Sequence, residues 1–450
     1  MNPNNEDKKE KTATGESPIP TPPEEQENLS TEVTEEDLAN AIEDDYGVKY
    51  SQDGKRLLVC EYEFLRGYDV REGTVVICDK AFLGCWDLSE IQLPNTVCAI
   101  GEKAFPSSIW MDYLEIPNSV THIGDGAFAG CNTMLTVPYE YWDVEDNKEH
   151  PWGTWPKHET YSNSIFHSDT ICLYDKRSKR LICCHNNNIS EYEIPNDVTA
   201  IGNYAFQSIR CLEHIKIPDG VTSIGNYAFS RCKSLKEITI PDSVTYIGEG
   251  AFDGCSSLME INIPSHVTCI GDNTFLGCES LKTITIPDSI ASIGSSSFSG
   301  CSSLQNIELP YGVTIIEWQI FKDCQSLQNV KIPDSVTRIG GCAFEGCVSL
   351  KSIDIPKGVV EIGWNAFSGC HSLESIEIPE SVTRLDDGVF SNCNCLSTIH
   401  SSNFYTDGIC IFDKDRKKLI CCYRNDAESY TIPDTVTTIG DDAFAGRDAL

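Results

Sequence analysis

Cysteine is the residue type whose number and spacing first invite chemistry, with 23 copies in a chain of 450 residues. Eight of them, Cys232, Cys255, Cys278, Cys301, Cys324, Cys347, Cys370 and Cys393, each follow the last by 23 residues. A thiol row offers disulfides, metal ligation, or buried thiols that only fill space. On stacked rungs the Cα atoms of neighbouring copies come to about 5 Å, within disulfide range, but their Cβ vectors run parallel. That arrangement suits a stack of reduced thiols. Cys393–Asn394–Cys395 and the vicinal pairs Cys183–Cys184 and Cys421–Cys422 fall outside this logic and stay open.

A zinc tetrad can be drawn from Cys172, Cys183, Cys184 and His185. The sister positions are Cys410, Cys421, Cys422 and Tyr423, and a third copy keeps only Cys60. A site that sheds ligands between copies reads as packing, so no metal is assigned. The acidic corners Asp219, Asp242, Asp288 and Asp334 could collect calcium, but Ser265, Tyr311 and Lys357 interrupt the row. An Asp in such a turn caps its own backbone. The histidines, at 122, 150, 158, 167, 185, 214, 266, 371 and 400, join no Ser/His/Asp or Cys/His arrangement. There is no phosphate loop, dinucleotide fingerprint or H-E-x-x-H. The sequence points to no catalytic residue, no cofactor and no enzyme.

The elements that position these cysteines come from a repeat. Phe recurs at 82, 105 and 128, then from 206 to 390 in steps of 23, and Pro keeps the same step from Pro195 to Pro379. One unit, Leu235 to Ser257, reads LKEITIPDSVTYIGEGAFDGCSS. Ile238 and Ile240 alternate as on a strand. Pro241 ends that strand because it lacks an N–H. Val244 and Ile247 form a second extended piece, and Gly248 permits a corner where a side chain would clash. Ala251 and Phe252 fill the interior. No rung buries these groups alone, so stacking at about 4.8 Å makes one core and pairs the first strands into a long parallel sheet.

IPDSVTYIGEGAFDGCSSL (240–258), IPDSIASIGSSSFSGCSSL (286–304) and IPDSVTRIGGCAFEGCVSL (332–350) resemble the BspA-type leucine-rich repeat family. The resemblance covers residues 70–138 and 192–450. It implies a mostly β solenoid of the α/β type, right-handed and curved, with inserted β-hairpins. It also implies surface proteins that adhere to host or neighbouring cells.

A longer repeat is woven in. Residues 169–206 and 407–444 match at an offset of 238, and 45–60 looks like a third copy of the front half. Each copy holds two apolar runs around a charged turn, a hairpin signal. Tyr139–Thr160 breaks the period with Trp142, Trp152 and Trp155, as a block terminator or an aromatic contact for a partner. The expected organisation is an acidic disordered tail (1–45) with a marginal helix near Thr34–Ile42, a hairpin and first block (46–138), an insertion and hairpin (139–191), a main block (192–398), and a second hairpin with the start of a further block (399–450). The last unit stops before its next strand, which suggests a fragment or an end covered by another chain.

A formal net charge of -34 excludes nucleic acid as a partner and disfavours an anionic membrane. No apolar run reaches the ~20 residues of a membrane span, and residues 1–37 show no secretory signal. The residues expected to meet a protein partner are the varied exposed positions Lys236, Thr239, Met259, Asn262, Lys282, Thr285, Gln328 and Lys331, together with the three Trp. The resemblance implies a cell-surface or secreted location. The missing signal and reduced-looking thiols favour an intracellular or translocated scaffold as the alternative.

Overall fold

A computed structural model describes residues 30–105, 111, 113–131, 133–137, 165–169, 171–424 and 429–445. Each rung is built as its sequence demands. In the unit Leu235–Ser257, Leu235, Ile238, Ile240, Val244, Ile247, Ala251, Phe252 and Cys255 are all buried. The strand Glu237–Thr239 exposes both its ends and buries its middle, and Tyr246–Ile247 is the second, shorter strand. Gly254 turns the chain in the left-handed region at φ 69°, where a Cβ is costly.

Two parallel ladders result. The first joins Glu191–Glu193, His214–Lys216, Glu237–Thr239 and Glu260–Ile261 in register, each pair 23 residues apart. The second joins Ala200–Ile201, Ser223–Ile224 and Tyr246–Ile247. Further along, Ile315–Ile316, Arg338–Ile339, Glu361–Ile362 and Arg384–Leu385 continue it. The first ladder is not one unbroken sheet. It lapses to a single bridge at Asn262 and Thr285 before resuming at Asn306–Glu308. Strands of two or three residues, each closed by a proline without an N–H, leave few ladder bonds per rung.

Core packing carries the order that the short strands do not. Phe206 to Phe390 form one column of stacked rings with centroids 5.2–5.7 Å apart. Phe82, Phe105 and Phe128 form a second column. Every ring from Phe82 to Phe390 in these columns is fully buried. Burying each contributes roughly 1.5–3 kcal/mol relative to exposure.

The hairpins are partitions. In Cys172–Asp175 and Arg180–Cys184 the residues divide between two cores, alternating except where a register shift puts Ile182 and Cys183 on the same side. Cys172, Tyr174, Leu181 and Cys184 face the main block, while Leu173, Ile182 and Cys183 face the first block. The hairpin Cys410–Asp413 and Lys418–Cys422 repeats the division: Ile411, Ile420 and Cys421 join the main core, and Cys410, Phe412, Leu419 and Cys422 the last one. Period-2 alternation thus lets one hairpin close a block and open the next. Each also starts a parallel ladder, through Arg180–Leu181 on Ala200–Ile201 and Lys418–Leu419 on Thr438–Ile439.

The first hairpin, Val48–Tyr50 and Arg56–Cys60, has no block before it among the described residues. Residues 30–43 cover it instead, which corrects the expectation of a disordered tail up to residue 45. Thr34 caps a short helix, Glu35–Ala39, in a capping box with Asp37. Asp37 binds Arg56 at 2.8 Å, and Val33 and Ala41 pack beside Leu58. Residues 1–29 of that tail lie outside the described residues.

Candidate functional site

The cysteine row is a set of buried thiols, each used by the rung before it. Cys255, Cys278 and Cys301 donate to the carbonyls of Phe229, Phe252 and Phe275 at 3.1, 3.3 and 3.2 Å. Burial pushes the Cys301 and Cys370 thiols up to about 12, so they stay protonated donors and are poor nucleophiles. Cys393 belongs to this row and is buried, whereas Cys395 is exposed.

Outside the row, Cys410 and Cys422 form a disulfide across the last hairpin. The vicinal spacing drew attention to Cys421–Cys422, but these two face opposite cores and cannot pair. The readable signal was the facing position twelve residues earlier.

The four zinc candidates do not converge, for the same reason: Cys183 faces away from Cys172 and Cys184. His185 is 2% exposed, with Nε2 3.2 Å from Ser168 Oγ. In the sister hairpin the Tyr423 hydroxyl meets Thr406 Oγ1 in its stead, at 2.7 Å. Among the described residues, no group of three or more His, Cys, Asp or Glu is placed to hold a metal ion.

Burial drives His185 down to about 4. The unfolded chain protonates near about 6.5, so acid favours unfolding through this residue. Its cost is absent above 6.5, grows as pH falls to 4, and levels off at roughly 3 kcal/mol. Urea unfolding of the native chain and of His185→Gln, measured from pH 7.5 to 4, checks this. The native chain loses the extra stability across that window and the variant does not. Parallel curves would place the acid sensitivity elsewhere.

Sequence reasoning also missed the tyrosine–aspartate clusters at the hairpins. Tyr68 donates to Asp44 at 2.6 Å and meets Tyr50 at 2.5 Å. Asp169 accepts from Tyr174 and Tyr192 at 3.0 and 2.5 Å, and Asp407 from Tyr430 at 2.5 Å. Tyr68, Tyr192 and Tyr430 occupy equivalent places, so aligning the three hairpin copies would have shown them. Tyr68 and Tyr192 tie their hairpins to strands of the first ladder.

The eight expected partner positions in the ladder are all exposed. Thr239, Asn262, Thr285 and Lys331 line one column of strand positions, and Lys236, Met259, Lys282 and Gln328 stand where the chain enters the strands. They are not equally free. Lys236 pairs with Glu213 at 2.5 Å and Lys331 pairs with Glu308, each from the preceding rung. Asn262 bonds the N–H and the C=O of Ile240 at 3.0 and 2.8 Å, stitching two rungs where the ladder thins. Trp142, Trp152 and Trp155 lie outside the described residues.

Between Thr283 and Lys331 the exposed strand positions are Thr283, Thr285, Asn306, Asn329 and the Glu308–Lys331 pair, so these positions together carry no net charge in a chain of -34. A depression of about 720 Å³ opens there, lined by Thr285, Glu308, Lys331 and Tyr311, with the corner residues Asp288 and Asp334 at its edge. Tyr311 is 75% exposed and replaces the corner Asp of other rungs. Later rungs turn acidic, with exposed Asp354, Glu374, Glu377 and Glu380. Trp318 and Trp364 are also exposed, on the turn after the second ladder, in a column otherwise dominated by Asn, Asp and Glu. That departure was visible in the sequence.

The model of the BspA type leucine rich repeat region matches residues 62–141, 181–305, 292–416 and 419–450. No curated protein matches the chain. Among solved structures it is similar to a leucine-rich repeat protein from Bacteroides ovatus ATCC 8483, at 26% identity and TM-score 0.44 over 80% of this chain and 85% of that one. Another is a leucine-rich repeat protein from Eubacterium ventriosum ATCC 27560, at 22% and 0.47 over 73% and 92%. A third is a leucine rich cell surface protein from Faecalibacterium prausnitzii A2-165, at 22% and 0.42 over 80% and 92%.

Proposed function

The chain belongs to the BspA-type leucine-rich repeat family, and from that premise we propose a non-catalytic protein-binding solenoid that acts in adhesion at a cell surface. The observation that carries the binding role is the first-ladder face between Thr283 and Lys331. A rigid strip of hydroxyls and amides, with the Glu308–Lys331 pair balanced within it and Tyr311 exposed beside it, supplies shape, hydrogen bonding and an aromatic contact. The Cys410–Cys422 disulfide supports an oxidising location over the intracellular alternative. Protease treatment of intact cells should remove the protein from the surface; its survival would favour the intracellular scaffold.

The face is tested by adhesion of beads that carry the full chain to host and neighbouring cells. Tyr311→Ala with Lys331→Glu should weaken adhesion about tenfold or more, the worth of one well-packed contact. Trp364→Ala should leave it unchanged, and both variants should unfold at the native midpoint. Adhesion that survives the first variant and is lost with the second would move the binding face to the turns.

A further inference from the structure

Cys172 and Cys184 repeat, atom for atom along the backbone, the setting of the disulfide between Cys410 and Cys422. Both pairs are facing residues of an antiparallel hairpin. In each, the first cysteine's N–H goes to the aspartate three residues earlier, Asp169 at 2.7 Å or Asp407 at 2.8 Å. The second cysteine's N–H goes to the next rung's alanine carbonyl, Ala205 at 2.6 Å or Ala443 at 2.7 Å. Neither pair therefore spends its N–H groups on its partner. Such non-hydrogen-bonded pairs bring Cα atoms to about 4.5 Å, within the range a disulfide spans. In this structure both are free, buried thiols, and Cys184 Sγ donates to the Asn186 carbonyl at 3.6 Å.

We propose that Cys172 and Cys184 form a second cross-strand disulfide, so that both partitions opening a later block are covalently clasped. The first hairpin sets the contrast, because Val48 faces Cys60 there and no such clasp can close. Closure is a thiol–disulfide exchange with a small-molecule or protein disulfide. One cysteine thiolate attacks the donor and releases one donor thiol. The second thiolate then attacks the mixed disulfide and releases the other. Two cysteines are oxidised, one donor disulfide is reduced, and the two cysteine protons end on the donor thiols. Both sulfurs are buried in the folded chain, so the exchange belongs to folding, before the rungs close over the hairpin.

The full chain is refolded in oxidised and reduced glutathione, alkylated, and digested without reductant for mass spectrometry. The expected product is a peptide pair joining 172 to 184, two hydrogen masses below its reduced parts, alongside the pair joining 410 to 422. The first link should vanish in Cys184→Ser and persist in Cys183→Ser. Alkylated Cys172 in a chain whose Cys410 and Cys422 are linked would overturn the proposal. So would a link through Cys183, or alkylation of all four cysteines. The reading needs no partner, so its failure leaves the binding role untouched.

Discussion

Phe298→Ala lowers the stability of the main block by about 3–5 kcal/mol and leaves the first block folded. Phe298 is fully buried, with the rings of Phe275 and Phe321 at 5.5 and 5.7 Å on either side. Truncation removes its transfer energy and opens a cavity between two rings that cannot close, because each is held by its own rung. The damage spreads along the stack, since each rung is stabilised chiefly by its neighbours. It should stop at the hairpin, whose two faces belong to separate cores. Amide exchange should show lost protection in Cys269–Ile270, Ser292–Ile293 and Ile315–Ile316, with Val76–Ile77 and Ala99–Ile100 unchanged. Equal loss in both sets would mean that the partition does not separate the blocks. Tyr311→Ala, at an exposed site, serves as the control and should cost less than about 0.5 kcal/mol.

How far this architecture could be read depends on which physics repeats. Ile238, Ile240, Val244, Ile247 and Phe252 recur in type and place, so the inward set of the rung was legible from spacing alone. The cysteine row was legible too, because parallel Cβ vectors follow from stacking. What recurs at 124 or 238 residues was harder. Asp44, Asp169 and Asp407 gather tyrosines about two dozen residues on, and the contacts of Tyr68 and Tyr192 join a hairpin to a ladder. Cys410 finds Cys422 only once the hairpin register is known, and vicinal spacing pointed to the wrong neighbour. Residues 30–43 looked like tail because they are acidic. Their fixing comes from a capping box, a part-buried arginine contact, the packing of Val33 and Ala41 and the pairing of Ile42–Glu43 with Lys49–Tyr50, which composition does not register. At the candidate binding face, exposure was predictable from alternation. The pairing of Lys236 and Lys331 was not, since it depends on a glutamate one rung earlier.

Gly248→Ala should destabilise the chain by roughly 2–4 kcal/mol, while Gly271→Ala, one rung later, costs under about 1 kcal/mol. A Cβ at Gly248 would sit 2.4 Å from the Asn226 backbone N and 2.5 Å from Asn226 Oδ1. Asn226 cannot retreat. Its Oδ1 accepts from the Glu249 N–H at 2.9 Å, and its own N–H donates to Asn203 Oδ1 at 2.6 Å. Asp272 does the same for Ser295 at 2.7 Å, and Gly294 lies against it. Gly271 instead follows Glu249, whose longer side chain accepts from the Tyr227 hydroxyl at 2.7 Å. There the nearest atom to a Cβ is 3.2 Å away. In the same column the non-glycine residues Glu317 and Asp386 follow Ser295 and Trp364, neither an Asn nor an Asp, whereas Gly124, Gly340 and Gly363 are held by close backbone of the preceding rung alone. Urea midpoints at constant slope measure both variants. Equal costs at 248 and 271 would show that the corner excludes side chains for a reason other than the side-chain bond running up the preceding rung.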